Sequence, residues 1–186
     1  MKILALDSSG LVASVAVVEN DTLLAEYTVN YKKTHSQTLL PMLDEISNMT
    51  ELDLSTIDAI AVAGGPGSFT GLRIGSATAK GLGLALEKPL ISIPTTAAIA
   101  YNIWDTNKFV CPIMDARRNQ VYTGVYCYTD HRLDTVWEQD TMSIEALAEG
   151  LNCLDHEVIF LGDGVAVYRE NCRSFLRFRF RLHRRT

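Results

Sequence analysis

The segment Gly64-Gly65-Pro66-Gly67-Ser68-Phe69-Thr70-Gly71 stands between the apolar run Ile57 to Ala63 and a stretch of helical periodicity reaching about Leu86. Glycines between a buried strand and a helix leave backbone N–H groups free to cradle an anion at the positive end of the helix. The loop departs from both standard phosphate motifs. Five residues after Gly65 stands Thr70, and no lysine follows, so neither the P-loop nor the dinucleotide pattern is met. The structural alternative is a tight strand-to-helix turn capped by Ser68 or Thr70. Asp7, at the end of the apolar run Ile3 to Leu6, and Asp115, at the end of Cys111 to Met114, could hold Mg²⁺ or orient water over a nucleotide. Strand-end aspartates also stabilise turns by accepting backbone hydrogen bonds, and that role has the larger share. Asp7, Ser9, Gly65, Gly67, Ser68 and Asp115 therefore form the candidate nucleotide or phosphate set.

Other chemistries find less support. A helical metal pair starting at His35 needs a ligand four residues on, where Leu39 stands. His131, His156 and His183 have no ligand-spaced partner, so no metal site is expected. No nucleophile-base-acid set, nucleophile elbow or paired-carboxylate spacing stands out. Arg73, Arg117 and Arg118 could reach a phosphate or a partner's carboxylates, with solvated charge as the plain reading.

The helix after the glycine loop carries two small-residue stripes, Gly71, Gly75, Ala79 and Gly83 in one and Ala77, Gly81 and Ala85 in the other. Each glycine in a helix costs about 1 kcal/mol relative to alanine, so close packing must compensate. One stripe suffices for the protein's own sheet, and with the apolar row Ile74, Thr78, Leu82 and Leu86 there is surface left for a partner chain. Which stripe faces outward is open.

The elements that position these residues repeat. Ile3 to Asp7, a Ser-Ser-Gly turn, Val12 to Val18 and Thr22 to Val29 read as three antiparallel strands. A helix follows, with a Thr34-x-x-Gln37 capping pattern, apolar Leu39, Met42, Leu43, Ile46 and Met49, and a bend expected at Pro41. Then come the buried strand, the glycine loop, its helix, a strand at Pro89 to Ile93 and a helix from Thr95 or Thr96 to about Trp104. The second half echoes this order with Phe109 to Asp115, Gln120 to Tyr128, a strand near Thr135 to Glu138, a helix from Ser143 to Ala148, and Val158 to Leu161 running into Gly162-Asp163-Gly164. Two α/β lobes of similar topology are expected, facing a cleft, with Asp7 and Asp115 at equivalent strand ends.

Composition agrees with a globular chain: 186 residues, 47% apolar and 21% charged. No uncharged apolar run is long enough to span a membrane. Four cysteines without a C-x-x-C pair point to a reduced, cytoplasmic protein. The formal charge is −5, but residues 1–168 hold ten basic against 21 acidic side chains, too acidic for autonomous nucleic-acid binding.

Taken together, Ile3-Leu-Ala-Leu-Asp7-Ser-Ser, His35-Ser-Gln-x-Leu-Leu-Pro-Met42, Gly65-Pro-Gly-Ser-Phe-Thr-Gly-Leu-Arg-Ile-Gly75, Pro94-Thr-Thr-x-Ala98 and Asp115-Ala-Arg-x-x-x-Val-Tyr122 resemble the TsaB (YeaZ) family over residues 1 to about 170. The resemblance implies the actin-like, sugar-kinase and Hsp70-type ATPase fold, a duplicated β-β-β-α-β-α arrangement with the C-terminal lobe shortened. The expected parts are an N-terminal lobe over 1–105, a C-terminal lobe over 106–172 and an atypical basic tail over 173–186.

That family implies a cytoplasmic, non-catalytic scaffold needed to make threonylcarbamoyladenosine beside the tRNA anticodon. Its partners would be the catalytic paralogue TsaD as a heterodimer, the ATPase TsaE, and tRNA through the complex, with a homodimer when alone. The chain itself would require no cofactor, with ATP or ADP and Mg²⁺ entering at the level of the complex. The missing histidine at Leu39 fits loss of the paralogue's H-x-x-x-H metal pair. The interface would be a four-helix bundle from the helices beginning near Thr34 and Thr70, with Leu39, Leu43, Ile46, Gly71, Leu72, Gly75, Ala79 and Gly83 as expected contacts and Ile74 either a contact or core.

The departure is Arg173 to Thr186, which alternates arginine with apolar residues. A frameshift or truncation would explain it, and a basic tail touching tRNA phosphates is the functional alternative. Two further functions stay open, an actin-like ATPase or small-molecule kinase using Asp7, the Gly65 loop and Asp115, and, more weakly, a metallopeptidase.

Overall fold

The computed structural model describes residues 1–30 and 38–175, together with the backbone of 180–182. Thr34, His35 and Gln37 lie outside the described residues. The chain divides into two units, Met1–Thr95 and Thr96–Thr186.

In the first unit the strands are β1 (Lys2–Asp7), β2 (Ala13–Glu19), β3 (Thr22–Val29), β4 (Ala59–Gly65) and β5 (Leu90–Pro94), with helices α1 (Leu39–Thr50) and α2 (Phe69–Leu86). The sheet runs β3-β2-β1-β4-β5. Strands joined by tight turns pair antiparallel, and those reached through a helix pair parallel, as the connection lengths require. Alternation along β1 and β2 turns Leu4, Leu6, Val15 and Val17 to the helix-covered face, where they meet Leu39, Met42, Leu43 and Ile46 of α1 and Ala79 of α2. Burial of each of the large side chains contributes about 1.5–3 kcal/mol. Pro41 leaves α1 unbroken because it falls in the first turn, where the missing N–H has no intrahelical partner in any case.

Helix α3 (Thr95–Ala100) opens on the last residue of the first unit and otherwise belongs to the second, with β6 (Phe109–Arg117), β7 (Gln120–Thr129), β8 (Arg132–Ser143), α4 (Ile144–Leu154), β9 (Val158–Leu161), α5 (Gly164–Phe175) and β10 (Phe180–Leu182). Its sheet reads β8-β7-β6-β9-β10, the same topological order as the first. Ile144, Leu147 and Leu151 of α4 and Val165 and Tyr168 of α5 cover one face with Cys111, Ile113, Val121 and Val125. On a separate cluster, Ala97, Ile99 and Ala100 pack with Val110, Tyr126 and Leu161.

One expectation is corrected here: the division falls after Thr95 rather than after residue 105, because residues of α3 pack against β6, β7 and β9. Arg173 to Phe175 finish α5, and the backbone of Phe180–Leu182 pairs parallel with β9 in the position β5 holds in the first sheet. Both sheets thus have five strands.

Candidate functional site

The glycine loop is closed by the chain's own groups. Ser68 caps α2 through its Oγ, which accepts from the Gly71 N–H at 3.3 Å. The N–H of Ser68 donates to the Ser9 carbonyl at 2.6 Å. Gly67, at φ 157°, has no room for a Cβ, which would overlap that same carbonyl oxygen. An anion at this helix end would face the Ser9 carbonyl, with the Ser68 and Gly71 N–H groups already engaged. Gly65, at φ 105°, supplies the left-handed turn over Leu72. Asp7 accepts from the Ser9 N–H at 2.8 Å, an Asx-type turn closing the β1–β2 connection.

Asp115 does not mirror Asp7. In β1 the helix-facing residues are Leu4 and Leu6, which puts Asp7 on the other face, paired with Ser14. In β6 the helix-facing residues are Cys111 and Ile113, so Asp115 shares the face of α4 and α5. There its Oδ1 accepts from the Tyr168 hydroxyl at 3.1 Å and the Arg117 N–H at 2.9 Å, while Oδ2 accepts from Arg117 Nη1 at 3.2 Å. The Asp115 N–H donates to Asp163 Oδ1 at 3.2 Å. Burial and the neighbouring carboxylate raise the Tyr168 hydroxyl above the ordinary tyrosine range. With both oxygens engaged, Asp115 is a structural clasp between β6 and α5. Asp163 and Tyr168 escaped the sequence reading. The Gly162-Asp163-Gly164 echo of the first-half loop was the available signal for Asp163. Among the described residues no group of three or more His, Cys, Asp or Glu could hold a metal ion. No described helix is long and apolar enough to cross a membrane.

Most of the expected interface positions are buried within their own unit. Leu39, Leu43 and Ile46 are in the core of their own unit. Gly71, Gly75, Ala79 and Gly83 form the inward stripe of α2. A Cβ on Gly75 would meet Ser8 Oγ at 2.6 Å, and one on Gly83 would meet Leu90 Cδ2 at 2.8 Å. Leu72 is half-buried beside Gly65, and Ile74 packs against the same core. These residues bring α2 down onto the sheet.

The other stripe is outward. Ala77, Gly81 and Ala85 are exposed, and a Cβ built on Gly81 would meet nothing within 4 Å. Alongside it α1 exposes Leu40, Asp44, Glu45 and Met49. α1 and α2 lie side by side on one face of the sheet and share a core cluster, so their outer sides form one continuous two-helix surface. A smooth small-residue track beside a helix with exposed leucine and methionine lets a second helix pair approach closely.

Comparison with known proteins agrees with this architecture. The family described as TsaD, tRNA N6-adenosine threonylcarbamoyltransferase, matches residues 22–182. The chain is 35% identical over 176 residues to the tRNA threonylcarbamoyladenosine biosynthesis protein TsaB of Bacillus subtilis, covering 95% of this chain and 77% of that one. It is 33% identical over 170 residues to the protein of the same name from Escherichia coli, covering 88% and 72%. The crystal structure of YeaZ from Pseudomonas aeruginosa superposes with a TM-score of 0.81 at 29% identity, over 98% of this chain and 83% of that chain. The two α/β units with sheets of the same strand order make up the fold shared with that structure. The chain belongs to the TsaB (YeaZ) family.

Proposed function

We propose that this chain is a non-catalytic subunit in the making of threonylcarbamoyladenosine in tRNA, acting in the cytoplasm by docking a catalytic paralogue of its own fold, TsaD. The observation that supports this reading best is the outward Ala77, Gly81 and Ala85 stripe beside exposed α1, a ready surface for a four-helix bundle. A second copy of the chain would use the same surface when the paralogue is absent. The names of the relatives supply the pathway. The ATPase TsaE and the tRNA would join through the complex.

The chain alone would need no cofactor, since Ser9 fills the α2 loop and Asp115 is clasped by Tyr168 and Arg117. ATP or ADP and Mg²⁺ would act elsewhere in the complex. An add-back assay tests the reading by following threonylcarbamoyl transfer to tRNA by the paralogue and its ATPase partner. Transfer is expected to fall to background when the chain is omitted or carries Gly81→Leu, and to persist with Gly81→Ala. Transfer indifferent to the chain, or ATP hydrolysis by the chain alone that depends on Asp7, would replace this reading with the kinase-like one.

A further inference from the structure

A groove of about 630 Å³ opens between α2 and β5, on the flank of α2 away from α1. It exists because the small inward stripe seats α2 mainly over β4, leaving the helix-side face of the terminal strand β5 uncovered. Its walls include Phe69, Leu72 and Ser76 of α2 and Leu90 and Ser92 of β5. Phe69 is 69% exposed and Leu90 41% exposed, high for large apolar side chains of one contiguous cleft.

The polar groups of this cleft are distinctive. Arg73 and Lys80 stand along it, seven residues and so roughly 10 Å apart on the same side of the helix. Arg73 lies over the Phe69 ring, 3.8 Å from its centroid. Neither cation forms an ion pair among the described residues, and α2 itself holds no acidic residue. This pairing of an apolar trough with two unpaired cations stands out in a unit that is otherwise mostly acidic.

We infer that the groove docks an acidic amphipathic helix of another protein, lying along α2 over β5, at a surface that meets the outward stripe only at Ala77. Two carboxylates seven residues apart on that helix would meet Arg73 and Lys80, with apolar residues between them seated on Leu72 and Leu90. A strand added to the edge of β5 fits less well, because Pro89 and Pro94 bracket the strand and lack N–H donors. A small anion fits less well too, since the cations line an open trough instead of converging on one point.

The test uses the full chain and a fluorescent synthetic helix of about 14 residues with Glu at positions seven apart and Leu between them. A control peptide carries Lys in place of Glu. The acidic peptide is expected to bind saturably, and Arg73→Glu with Lys80→Glu to weaken it at least about tenfold. Both sites are exposed, and circular dichroism checks that the double variant keeps its fold. Met49→Ser, on the exposed side of α1 and outside the groove's lining, is expected to leave this binding unchanged, so the surface beside α1 is tested apart. Equal binding of the two peptides, or undiminished binding to the double variant, overturns the inference. So does full displacement by tripolyphosphate, which would mark a simple anion site, or protection of the β5 amides alone in hydrogen exchange, which would mark strand addition.

Discussion

A Cβ on Gly75 would stand 2.6 Å from Ser8 Oγ, so α2 approaches the residue that follows β1 more closely than any side chain at this position would allow. Ser8 is buried, and its hydroxyl donates to the Gly71 carbonyl at 2.9 Å, one turn earlier in the same helix. Gly75→Ala therefore meets two opposing effects. Helix propensity favours alanine by about 1 kcal/mol, while overpacking a tight site costs about 1–3 kcal/mol. Net destabilisation of up to about 2 kcal/mol is expected from urea denaturation. Adding Ser8→Ala should recover part of it, because the clashing oxygen is gone.

Gly81 is the contrasting case, on the same helix with open space where its side chain would be. Gly81→Ala gains helix propensity and meets no neighbour, so it should stabilise the chain by about 0.5–1 kcal/mol, read as a rise in the thermal midpoint. A fall in the midpoint would mean that this face is already packed.

The contrast between these two glycines shows what periodicity can and cannot reveal. Both small stripes have helical spacing, and only the sheet beneath decides which one turns inward. The apolar row Leu39, Leu43 and Ile46 was legible as one face of α1, but the first unit needs that face for its own core. β3 was readable to the residue, Thr22 to Val29, because turn residues flank it. The order of elements in the two halves was readable as well, since tight turns and helical crossovers dictate which strands pair. The phase of β6 was not. Cys111, Pro112, Ile113 and Met114 are all buried, so no polar alternation marks which face Asp115 takes. Its partner Tyr168 lies 53 residues away, beyond any local pattern.

Two of the four cysteines should be silent and set an alkaline limit. Burial pushes the Cys111 thiol up to about 12 and the Cys172 thiol up to about 11. Above the ordinary thiol range, near 8.5, the unfolded chain releases these protons while the folded chain keeps them. Their contribution to stability is complete below that range and is lost as pH rises towards the folded values. Cys111→Ala should flatten the decline in denaturant midpoint between pH 9 and 11 relative to the unsubstituted chain. Thiol titration of the folded chain should label exposed Cys153 first, and Cys111 and Cys172 only after unfolding.

The buried hydroxyl of Thr96 offers the sharpest test of the second unit. It donates to Gln139 Oε1 at 3.1 Å and lies 2.7 Å from the Tyr126 hydroxyl, so the tyrosine donates and the threonine relays. Thr96 is fully buried and Tyr126 nearly so, with the tyrosine held above its ordinary range chiefly by burial. Thr96→Val keeps the volume but leaves the buried Tyr126 hydroxyl without its partner at about 1–3 kcal/mol, while exposed Gln139 turns to water. Tyr126→Phe removes the donor itself and leaves the Thr96 to Gln139 bond intact, so it should cost only about 1 kcal/mol. The ordering reverses the usual expectation that the larger side chain matters more. In the double variant Thr96→Val with Tyr126→Phe, the orphaned tyrosine hydroxyl is gone, and the combined loss should be smaller than the sum of the two. Strict additivity in denaturant titrations would show that the hydroxyls do not form one relay.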